Sequence, residues 1–408
     1  MMDSETAHIV RGTPAFRRTN LALFSAGFAT FALLYCVQPL LPVFSAEFHV
    51  GAAASSLSLS LTTALLAVAM LLVGSLSEAW GRRGIMILSL FAVAGLTVLS
   101  AATRSWQGLL VLRALEGLAF AGLPALAMAY LGEEMHRSSI GLAMGLYIAG
   151  NGLGGMLGRL LTSFLTDVVS WRFALGVLGA LGLVAAAIFW RRLPPSRHFH
   201  ARPLHLGHLA SSFGAHLRER ALLALFAEGF LLMGGFVTTY NYITYRLLAP
   251  PFTLTQTQVG FIFVLYLVGI FSSAWMGALA DRRDRGTVLV ASLALMLVGI
   301  LLTIPDHLLS VVLGIGVVTF GFFGGHSVAS GWVGLAAHEA RAQASALYLF
   351  FYYVGSSIAG VCGGFFWSSW GWPGVVGFVA ALIAAGLLLA FAMPAPAAMP
   401  ASAAQPRP

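Results

Sequence analysis

The chain has 408 residues, of which 59% are hydrophobic and only 9% are charged, and its mean hydropathy is +0.89. A soluble globular domain carries about a quarter of charged residues, so the composition argues against one and indicates a membrane protein. The formal net charge of +8 does not indicate a nucleic-acid partner, because the placement of the arginines is explained by membrane topology and by attraction to anionic lipid.

Twelve apolar runs follow one another along the sequence. A helix of about 20 apolar residues crosses a hydrocarbon layer of roughly 30 Å, and no stretch between the runs is long enough for a soluble domain. We therefore predict an all-α membrane protein with twelve transmembrane helices. The predicted spans 1 to 12 are residues 20–44, 55–78, 84–102, 107–131, 139–164, 172–192, 221–247, 257–279, 286–304, 308–333, 343–367 and 373–393.

The basic residues predict the orientation of the chain. All 22 are arginines, and most fall on the cytoplasmic side if both termini lie in the cytoplasm. The exceptions are Arg104, Arg113, Arg159, Arg172 and Arg246. The positive-inside rule therefore predicts a multi-pass protein of the inner (plasma) membrane with both termini cytoplasmic. No signal-peptide cleavage pattern follows the first apolar run, so we expect span 1 to be retained.

The two halves of the chain resemble each other after a shift of about 200 residues, which is the signature of an internal repeat. GSLSE at 74–78 returns as GALAD at 277–281, YIAGNGLGGMLGRLL returns as FYYVGSSIAGVCGGFF, and SWRFALGVLGALG returns as GWPGVVGFVAAL. A duplicated six-helix unit accounts for this order. It predicts an N-terminal bundle at 1–192, a cytoplasmic linker at 193–220, a C-terminal bundle at 221–393 and a cytoplasmic tail at 394–408.

The linker between spans 6 and 7 is rich in Pro, His and Arg. Its segment from Gly207 to Arg220 is expected to lie at the membrane interface as an amphipathic helix. The spacing of its histidines fits no tetrahedral metal site, so we predict a solvated loop without metal. These histidines are His198, His200, His205, His208 and His216. Cys36 and Cys362 fall in predicted spans, so no disulfide framework is indicated.

Charged clusters follow spans 2 and 8, at equivalent places in the two repeats. The first reads GSLSEAWGRR from Gly74, and the second reads GALADRRDR from Gly277. Membrane-anchoring arginines would explain the basic residues, but they do not explain the repeated Gly-x-Leu-x-acid frame in front of them.

This frame resembles the signature G-x-L-x-D-R-x-G-R-[RK] of major facilitator superfamily transporters, and the resemblance covers essentially the whole chain. Glu78 stands in the place of Asp, and Ala79 in that of the first Arg. The resemblance implies two pseudo-symmetric six-helix bundles, a monomer, and transport driven by a proton gradient without a cofactor. It also implies that the acid faces the N-terminal end of span 11, pairs with nearby arginines and closes the cytoplasmic side when the protein opens outward. The implied cytoplasmic gate is Gly74, Glu78, Arg82, Arg83, Gly277, Asp281, Arg282 and Arg285.

Ionisable residues deep inside a span are costly and are functional candidates by default. Span 4 places Arg113, Glu116 and Gly117 on one helical face. This triplet resembles the R-x-x-Q-G motif that proton-driven members of the superfamily use in proton transfer. The Arg113–Glu116 pair is therefore expected to couple protons, to form a static ion pair or to bind substrate.

Three other ionisable residues lie within predicted spans. Glu228 lies roughly 10 Å deep in span 7, either as a second proton or cation site or as a side chain that snorkels or pairs with a neighbouring helix. His326 in span 10 is either a proton-coupling residue or a hydrogen-bonded packing residue. Arg159, near the outer end of span 5, is expected to reach the lipid headgroups or to pair with Asp167.

The resemblance further implies that spans 1, 4, 7 and 10 line a central cavity. A mostly apolar lining with a few polar groups suits an amphipathic small molecule. The candidate cavity residues are Tyr35, Gln38, Met233, Phe236, Tyr240, Asn241, Phe322 and Phe323.

YCVQPLLPVFSAEFHV in span 1 and YIAGNGLGGMLGRLL in span 5 resemble bacterial twelve-helix exporters of the drug:proton antiporter and arabinose-efflux-permease group. The Gly-Pro step that antiporters commonly show in span 5 is absent. We expect proton-coupled efflux of a drug-like compound or metabolite, with proton-symport uptake of a small metabolite as the alternative. The sequence contains no H-E-x-x-H, G-x-S-x-G or P-loop pattern, which argues against a membrane enzyme and against ATP-driven transport. The expected partners are the small molecule, protons and membrane lipids.

Overall fold

The computed structural model describes residues 8–199, 206–337 and 339–393, and in these residues the fold is all-α. Two short 3-10 turns, at Gln38–Leu40 and Phe261–Leu265, interrupt the series of α-helices. The helices are α1 Pro14–Tyr35, α2 Leu41–Phe48, α3 Ala52–Trp80, α4 Arg82–Ala102, α5 Trp106–Phe120, α6 Pro124–Glu134, α7 Ile140–Val168, α8 Trp171–Arg192, α9 Leu206–His216, α10 Arg220–Leu248, α11 Gln256–Gly260, α12 Tyr266–Arg282, α13 Arg285–Leu302, α14 Leu308–Ala336 and α15 Arg341–Ala392.

Within the described ranges, eleven helical segments are long and apolar enough to cross a membrane. The last of them, α15, has 52 residues, which is more than two membrane spans require. It breaks at Gly371, whose φ of 60° lies in the left-handed region that glycine adopts without steric cost. Because α15 contains two spans, the prediction of an all-α membrane protein with twelve transmembrane helices is confirmed.

Proline residues break two of the spans that the sequence predicts as continuous. Span 1 divides into α1, a 3-10 turn and α2, with Pro39 and Pro42 at the junctions. Span 4 divides into α5 and α6, and α6 begins at Pro124. Proline has no backbone N–H and its ring collides with the preceding turn, but it fits the first turn of a helix. Span 8 is also broken, at Phe261–Leu265, without a proline to account for it.

The helices pack in two groups with the same internal order. In the first group, α1 packs on α7 and α4 packs on α8; in the second, α10 packs on α15 and α13 packs on α14 and α15. The groups meet where α3 packs on α15 and where α7 packs on α11. The internal repeat of the sequence therefore corresponds to a repeat in helix packing.

Consecutive spans alternate in direction, so the loops after α3, α6, α8, α12 and α14 lie on one side of the bundle. This side, which carries Arg82, Arg83 and Arg282, is here called the Arg-rich face, and the other side is called the opposite face. The arginine pattern predicts that the Arg-rich face is cytoplasmic. Next to this face lies α9, which overlaps the segment 207–220 that the sequence predicts as an amphipathic helix.

A glycine seam brings α7 against α1. A Cβ atom added at Gly150, Gly154 or Gly158 would lie too close to the backbone of α1, at Phe24, Phe28 and Ala32 respectively. Small residues at four-residue spacing let two backbones approach in a membrane, where lipid supplies no hydrophobic drive for helix association. The seam therefore fixes the position of α7 relative to α1.

The seam can be tested with two alanine substitutions in the same helix. Gly154→Ala should lower the free energy of unfolding by about 1–3 kcal/mol, because the new methyl group overpacks the seam. Gly145→Ala is the matched control, since a Cβ at Gly145 meets no atom within 4 Å. Thermal unfolding of the purified proteins measures the difference, and equal melting temperatures for the two variants would contradict the packing described for Gly154.

Candidate functional site

The two groups of helices are hydrogen-bonded to each other near the opposite face. Gln38 donates from Nε2 to Oδ1 of Asn241 over 2.8 Å. The Tyr245 hydroxyl donates to the carbonyl of Leu41 over 2.9 Å, and Gln256 donates to the carbonyl of Pro39 over 2.6 Å. In each bond one partner belongs to the first group and the other to the second, so these bonds hold the groups together on this side.

Small residues allow the same surfaces to close tightly. A Cβ atom on Gly364 of α15 would collide with Ala53 of α3. Nearer the middle of the membrane, the hydroxyls of Thr63 and Ser357 lie 2.7 Å apart across the same interface. We call these contacts, together with the hydrogen bonds of Gln38, Tyr245 and Gln256, the opposite-face seal.

At the Arg-rich face, polar contacts stay within each group. Arg82 pairs with Glu133 at 2.5 Å, and Asp281 pairs with Arg285 at 2.7 Å. Arg83 donates to the carbonyls at the end of α8. In the part of the chain that the structure describes, no hydrogen bond or ion pair joins the two groups at this face. Among the described residues, hydrogen bonds therefore join the two groups at the opposite face but not at the Arg-rich face.

In the part of the chain that the structure describes, no ion pair or hydrogen bond joins the gate residues of the first group to those of the second, although Asp281 pairs with Arg285 within the second group. Glu78 is exposed, and Arg282 and Asp281 are exposed as well. A Cβ on Gly74 would meet no atom within 4 Å, and one on Gly277 would meet only a serine of its own group. The gate is expected to be open in one of the two conformations of a transporter, so its closure stays a prediction.

Four of the eight candidate cavity residues form one aromatic cluster. The rings of Phe236 and Phe322 stack with their centroids 3.7 Å apart, and Tyr240 lies 4.9 Å from Phe236. Phe323 packs edge-on against Phe322 at 5.3 Å. The sequence reasoning missed Tyr266, which lies 5.2 Å from Tyr240, because no motif marks it. Met233 is buried one turn before Phe236.

The prediction for Arg159 is wrong. Its side chain neither reaches a headgroup nor pairs with Asp167, but is buried with 1% exposure between the two groups. It donates from Nε to Oε1 of Gln38 over 2.7 Å and from Nη1 to the carbonyl of Gly155 over 2.6 Å. The guanidinium carbon lies 4.2 Å from the ring centroid of Tyr35. Stacking on aromatic rings, which stabilises a desolvated cation, keeps the side chain away from lipid.

Arg113 and Glu116 form the ion pair that the sequence indicates, with 1% and 0% exposure. Glu116 also accepts hydrogen bonds from Thr97 and Ser100. Arg113 donates to the carbonyls of Ser58 and Leu34 over 2.9 Å each. Both charges are thus surrounded by polar partners, an arrangement that orders α5 against α1, α3 and α4.

Glu228 has no such partners. Its side chain is 0% exposed, and neither carboxylate oxygen makes a hydrogen bond to any residue that the structure describes. A Cβ on Gly386 would lie 3.1 Å from Oε2 and beside Leu293, so the carboxyl group faces small and apolar residues. The alternative in which Glu228 snorkels to water or pairs with a neighbouring helix is therefore wrong. His326 bonds from Nδ1 to the Tyr348 hydroxyl at 2.9 Å, as expected of a packing histidine.

The linker histidines that the structure describes have separate partners. His198 lies 3.1 Å from a carboxylate oxygen of Glu134, and His216 bonds the carbonyl of Ala340. His200, His205 and the side chain of His208 lie outside the described residues. Within residues 8–199, 206–337 and 339–393, no group of three or more His, Cys, Asp or Glu side chains is placed to hold a metal ion.

An apolar groove of about 500 Å³ lies between α1, α7 and α8, lined by Phe28, Leu157, Phe164 and Leu181 among others. Three of these side chains are exposed at the rim of the helix bundle. Apart from Thr257 the lining is apolar, so the groove offers few of the polar groups that orient a ligand in a binding site. We therefore place the candidate site at the interface of the two groups, around Arg159 and the aromatic cluster.

Comparison with known proteins agrees with this architecture. The family model described as "Major Facilitator Superfamily" matches residues 23–249 and 230–407. The chain belongs to the major facilitator superfamily. It is 51% identical over 383 residues to the uncharacterized MFS-type transporter YybF of Bacillus subtilis (strain 168), covering 94% of this chain and 95% of that protein. It is 49% identical over 381 residues to the inner membrane transport protein YnfM of Escherichia coli (strain K12), covering 93% and 91%.

Solved structures confirm the major facilitator fold. A bacterial homolog of the human lysosomal transporter Spinster, in an inward-facing and occupied conformation, superposes with a TM-score of 0.74 at 14% identity, covering 93% of this chain and 97% of that one. The peptide transporter POT superposes with a TM-score of 0.76 at 14% identity, covering 92% and 93%. Membership in the superfamily and the two close relatives make this protein a multi-pass secondary transporter of small molecules, not an enzyme, that works without a cofactor.

The opposite-face seal can be loosened by one methyl group. Gly364→Ala should separate α15 from α3, because the added Cβ has no room beside Ala53. A cysteine at position 63, in a protein with Cys36 and Cys362 replaced by serine, should then react faster with a water-soluble maleimide. Gly377→Ala is the control, since a Cβ there meets no atom within 4 Å. Equal labelling rates in the two variants would show that Gly364 does not hold the seal closed.

Proposed function

We propose that the protein exports a small organic molecule in exchange for protons, with Glu228 as the residue that carries the proton. The observation that supports this proposal is a buried carboxyl group with no hydrogen-bond partner among the described residues. Burying an ionised carboxylate without a partner is very unfavourable, so this conformation favours the protonated, neutral side chain. A change in its surroundings that admits water or a cation would release the proton.

The asymmetric closure of the two faces supports alternating access. If the Arg-rich face is cytoplasmic, as the positive-inside rule predicts, the structure is an inward-facing state with its outer side sealed by Gln38, Tyr245, Gln256 and Gly364. Transporters of repeated architecture rock one bundle against the other around a site near the midplane. An exporter loads its substrate from the cytoplasm in this state and releases it after the seal opens.

The arrangement of Arg113 and Glu116 favours a structural role for this pair. Its partners, Thr97, Ser100 and backbone carbonyls, satisfy both charges, so loss or gain of a proton there would disturb a complete network. Between the candidates for coupling, we therefore assign the proton to Glu228 and not to Glu116. His326 would then hold Tyr348, which packs against Gly229 next to the proton site.

Reconstituted liposomes with a pH-sensitive dye inside can test this assignment. A substrate is first found in a panel of lipophilic cations, phenicols, sugars, amino acids and aromatic carboxylates. Glu228→Gln should abolish proton flux driven by that substrate while the protein stays folded, because glutamine has nearly the shape of the protonated glutamic acid. Glu219→Gln, just before α10, is the matched control and should pump normally.

Glu116→Gln should differ from Glu228→Gln in its stability. Removing the charge next to a buried arginine should lower the free energy of unfolding by about 3–5 kcal/mol.

Normal proton flux in Glu228→Gln would rule out Glu228 as the proton carrier. Proton movement in the same direction as the substrate would overturn export and support proton-symport uptake.

A further inference from the structure

We infer that the transported molecule is an organic anion and that its acidic group binds at Arg159, between the two groups of helices. This inference rests on the proposed transport function and names the class of substrate. Three features support it: a buried arginine without a carboxylate partner among the described residues, an unused hydrogen-bond donor at the end of its chain of bonds, and the aromatic rings around it.

Arg159 differs from the other buried arginines. In the described part of the chain three arginines are buried: Arg113, Arg159 and Arg246. Arg113 is paired with Glu116, and Arg246 is paired with Asp306 at 2.9 Å. No carboxylate of the described residues lies within 4 Å of Arg159, although it is 1% exposed. A charge inside the membrane that has no partner on its own chain is the expected feature of a binding site for an opposite charge.

The orientation of the neighbouring amides follows from the chemistry of arginine. A guanidinium has only donors, so the atom of Gln38 that contacts Nε of Arg159 must be the carbonyl oxygen. The amide nitrogen of Gln38 must then donate to Asn241, whose oxygen accepts this bond. The amide nitrogen of Asn241 is left as a buried donor without an acceptor. The chain of hydrogen bonds therefore ends at the amide nitrogen of Asn241, a donor that could bind an anion.

The unused donor of Asn241 lies beside a second buried polar group. A Cβ at Gly360 would lie 3.3 Å from Nδ2 of Asn241 and 3.0 Å from Oγ of Ser60. The Ser60 hydroxyl is also buried without a hydrogen-bond partner. Because residue 360 is a glycine, the backbone of α15 approaches both groups closely, and a larger side chain would crowd them. Both the Ser60 hydroxyl and the Asn241 amide nitrogen can donate to the oxygens of an acidic ligand.

Aromatic rings from both groups surround the charge. The guanidinium carbon of Arg159 lies 4.7 Å from the ring centroid of Tyr266 and 5.2 Å from that of Phe263, both in the second group. The bonds to Gln38 and Gly155 use two of the five guanidinium N–H groups, so others can donate to carboxylate or sulfonate oxygens. Tyr266 continues into the cluster of Phe236 and Phe323, which suits an apolar or aromatic body. The ligand class is thus an amphipathic organic acid.

The place of Arg159 links binding to conformational change. Arg159 and Gln38 belong to the first group, whereas Asn241, Phe263 and Tyr266 belong to the second. An acid bound between them contacts both groups at the opposite-face seal. A ligand shifts the balance between two conformations only when it binds them with different affinity. Because the acid contacts both groups when the seal is closed, we expect its binding to change the balance between the closed and open forms of the seal.

Binding to the purified full-length protein tests the inference without a proton gradient. The probes are 2-naphthoate, 2-naphthalenesulfonate and the neutral 2-naphthamide, titrated calorimetrically. The anions should bind at least about tenfold more tightly than the amide, a ratio that loss of one charge-assisted contact explains. Arg159→Gln should remove this preference, and Arg159→Lys should retain part of it. Arg172→Gln, which changes an exposed arginine paired with Glu47, should bind like the parent protein.

The outcomes separate this inference from the proposed function. Equal binding of the amide and the anions, no binding of either anion, or unchanged anion binding by a folded Arg159→Gln protein would overturn the inference. Arg159-dependent anion binding without proton exchange during transport would support the inference and overturn proton-coupled export. Proton-driven export of a neutral or cationic compound that Arg159→Gln leaves unchanged would support the proposed function and overturn the inference. If Arg159→Gln unfolds, Arg159→Lys gives the decisive comparison between the anions and the amide.

Discussion

The hydrogen-bond chain from Arg159 through Gln38 to Asn241 is the interaction on which the candidate site depends. It crosses from the first group of helices to the second at the sealed face. Inside a membrane there is little water to replace a broken hydrogen bond, so these polar groups must find partners in the protein or in a ligand. The same constraint explains why Arg159 is stacked on aromatic rings and why opening of the seal requires new partners for Gln38 and Asn241.

Close packing positions this chain. Gly154 and Gly158 hold α7 against α1. Arg159 is the residue after Gly158 in the same helix, so its side chain meets Gln38 just beyond the end of α1. On the other side of the interface, Gly364 lets α15 reach α3. Small residues thus place the backbones where polar side chains of the two groups can bond. Because packed interfaces have discrete arrangements and do not deform continuously, the seal is expected to switch between two states.

Hydropathy predicts the number of spans and the all-α class, and the internal repeat predicts two bundles, because each depends on properties that recur along the chain. The superfamily follows from the resemblance of the repeated Gly-x-Leu-x-acid frame to its signature. Proline explains the breaks at Pro39 and Pro124, but the 3-10 turn at Phe261–Leu265 has no local signal. The pairing of Arg113 with Glu116 follows from helical spacing. The surroundings of Arg159 cannot be predicted from helical spacing. Tyr266 and Asn241 lie in the other half of the chain, and only folding brings them next to Arg159 and Gln38.

Distances between spin labels at both faces test alternating access most directly. In a protein with Cys36 and Cys362 replaced by serine, one pair of labels at exposed His49 and Thr253 reports on the sealed face. A second pair at exposed Glu78 and Arg341 reports on the Arg-rich face. Addition of a transported substrate under a proton gradient should lengthen the first distance in part of the population and shorten the second in the same proportion. A protein in which neither distance changes, or in which both lengthen together, would contradict transport by exchange between two closed faces.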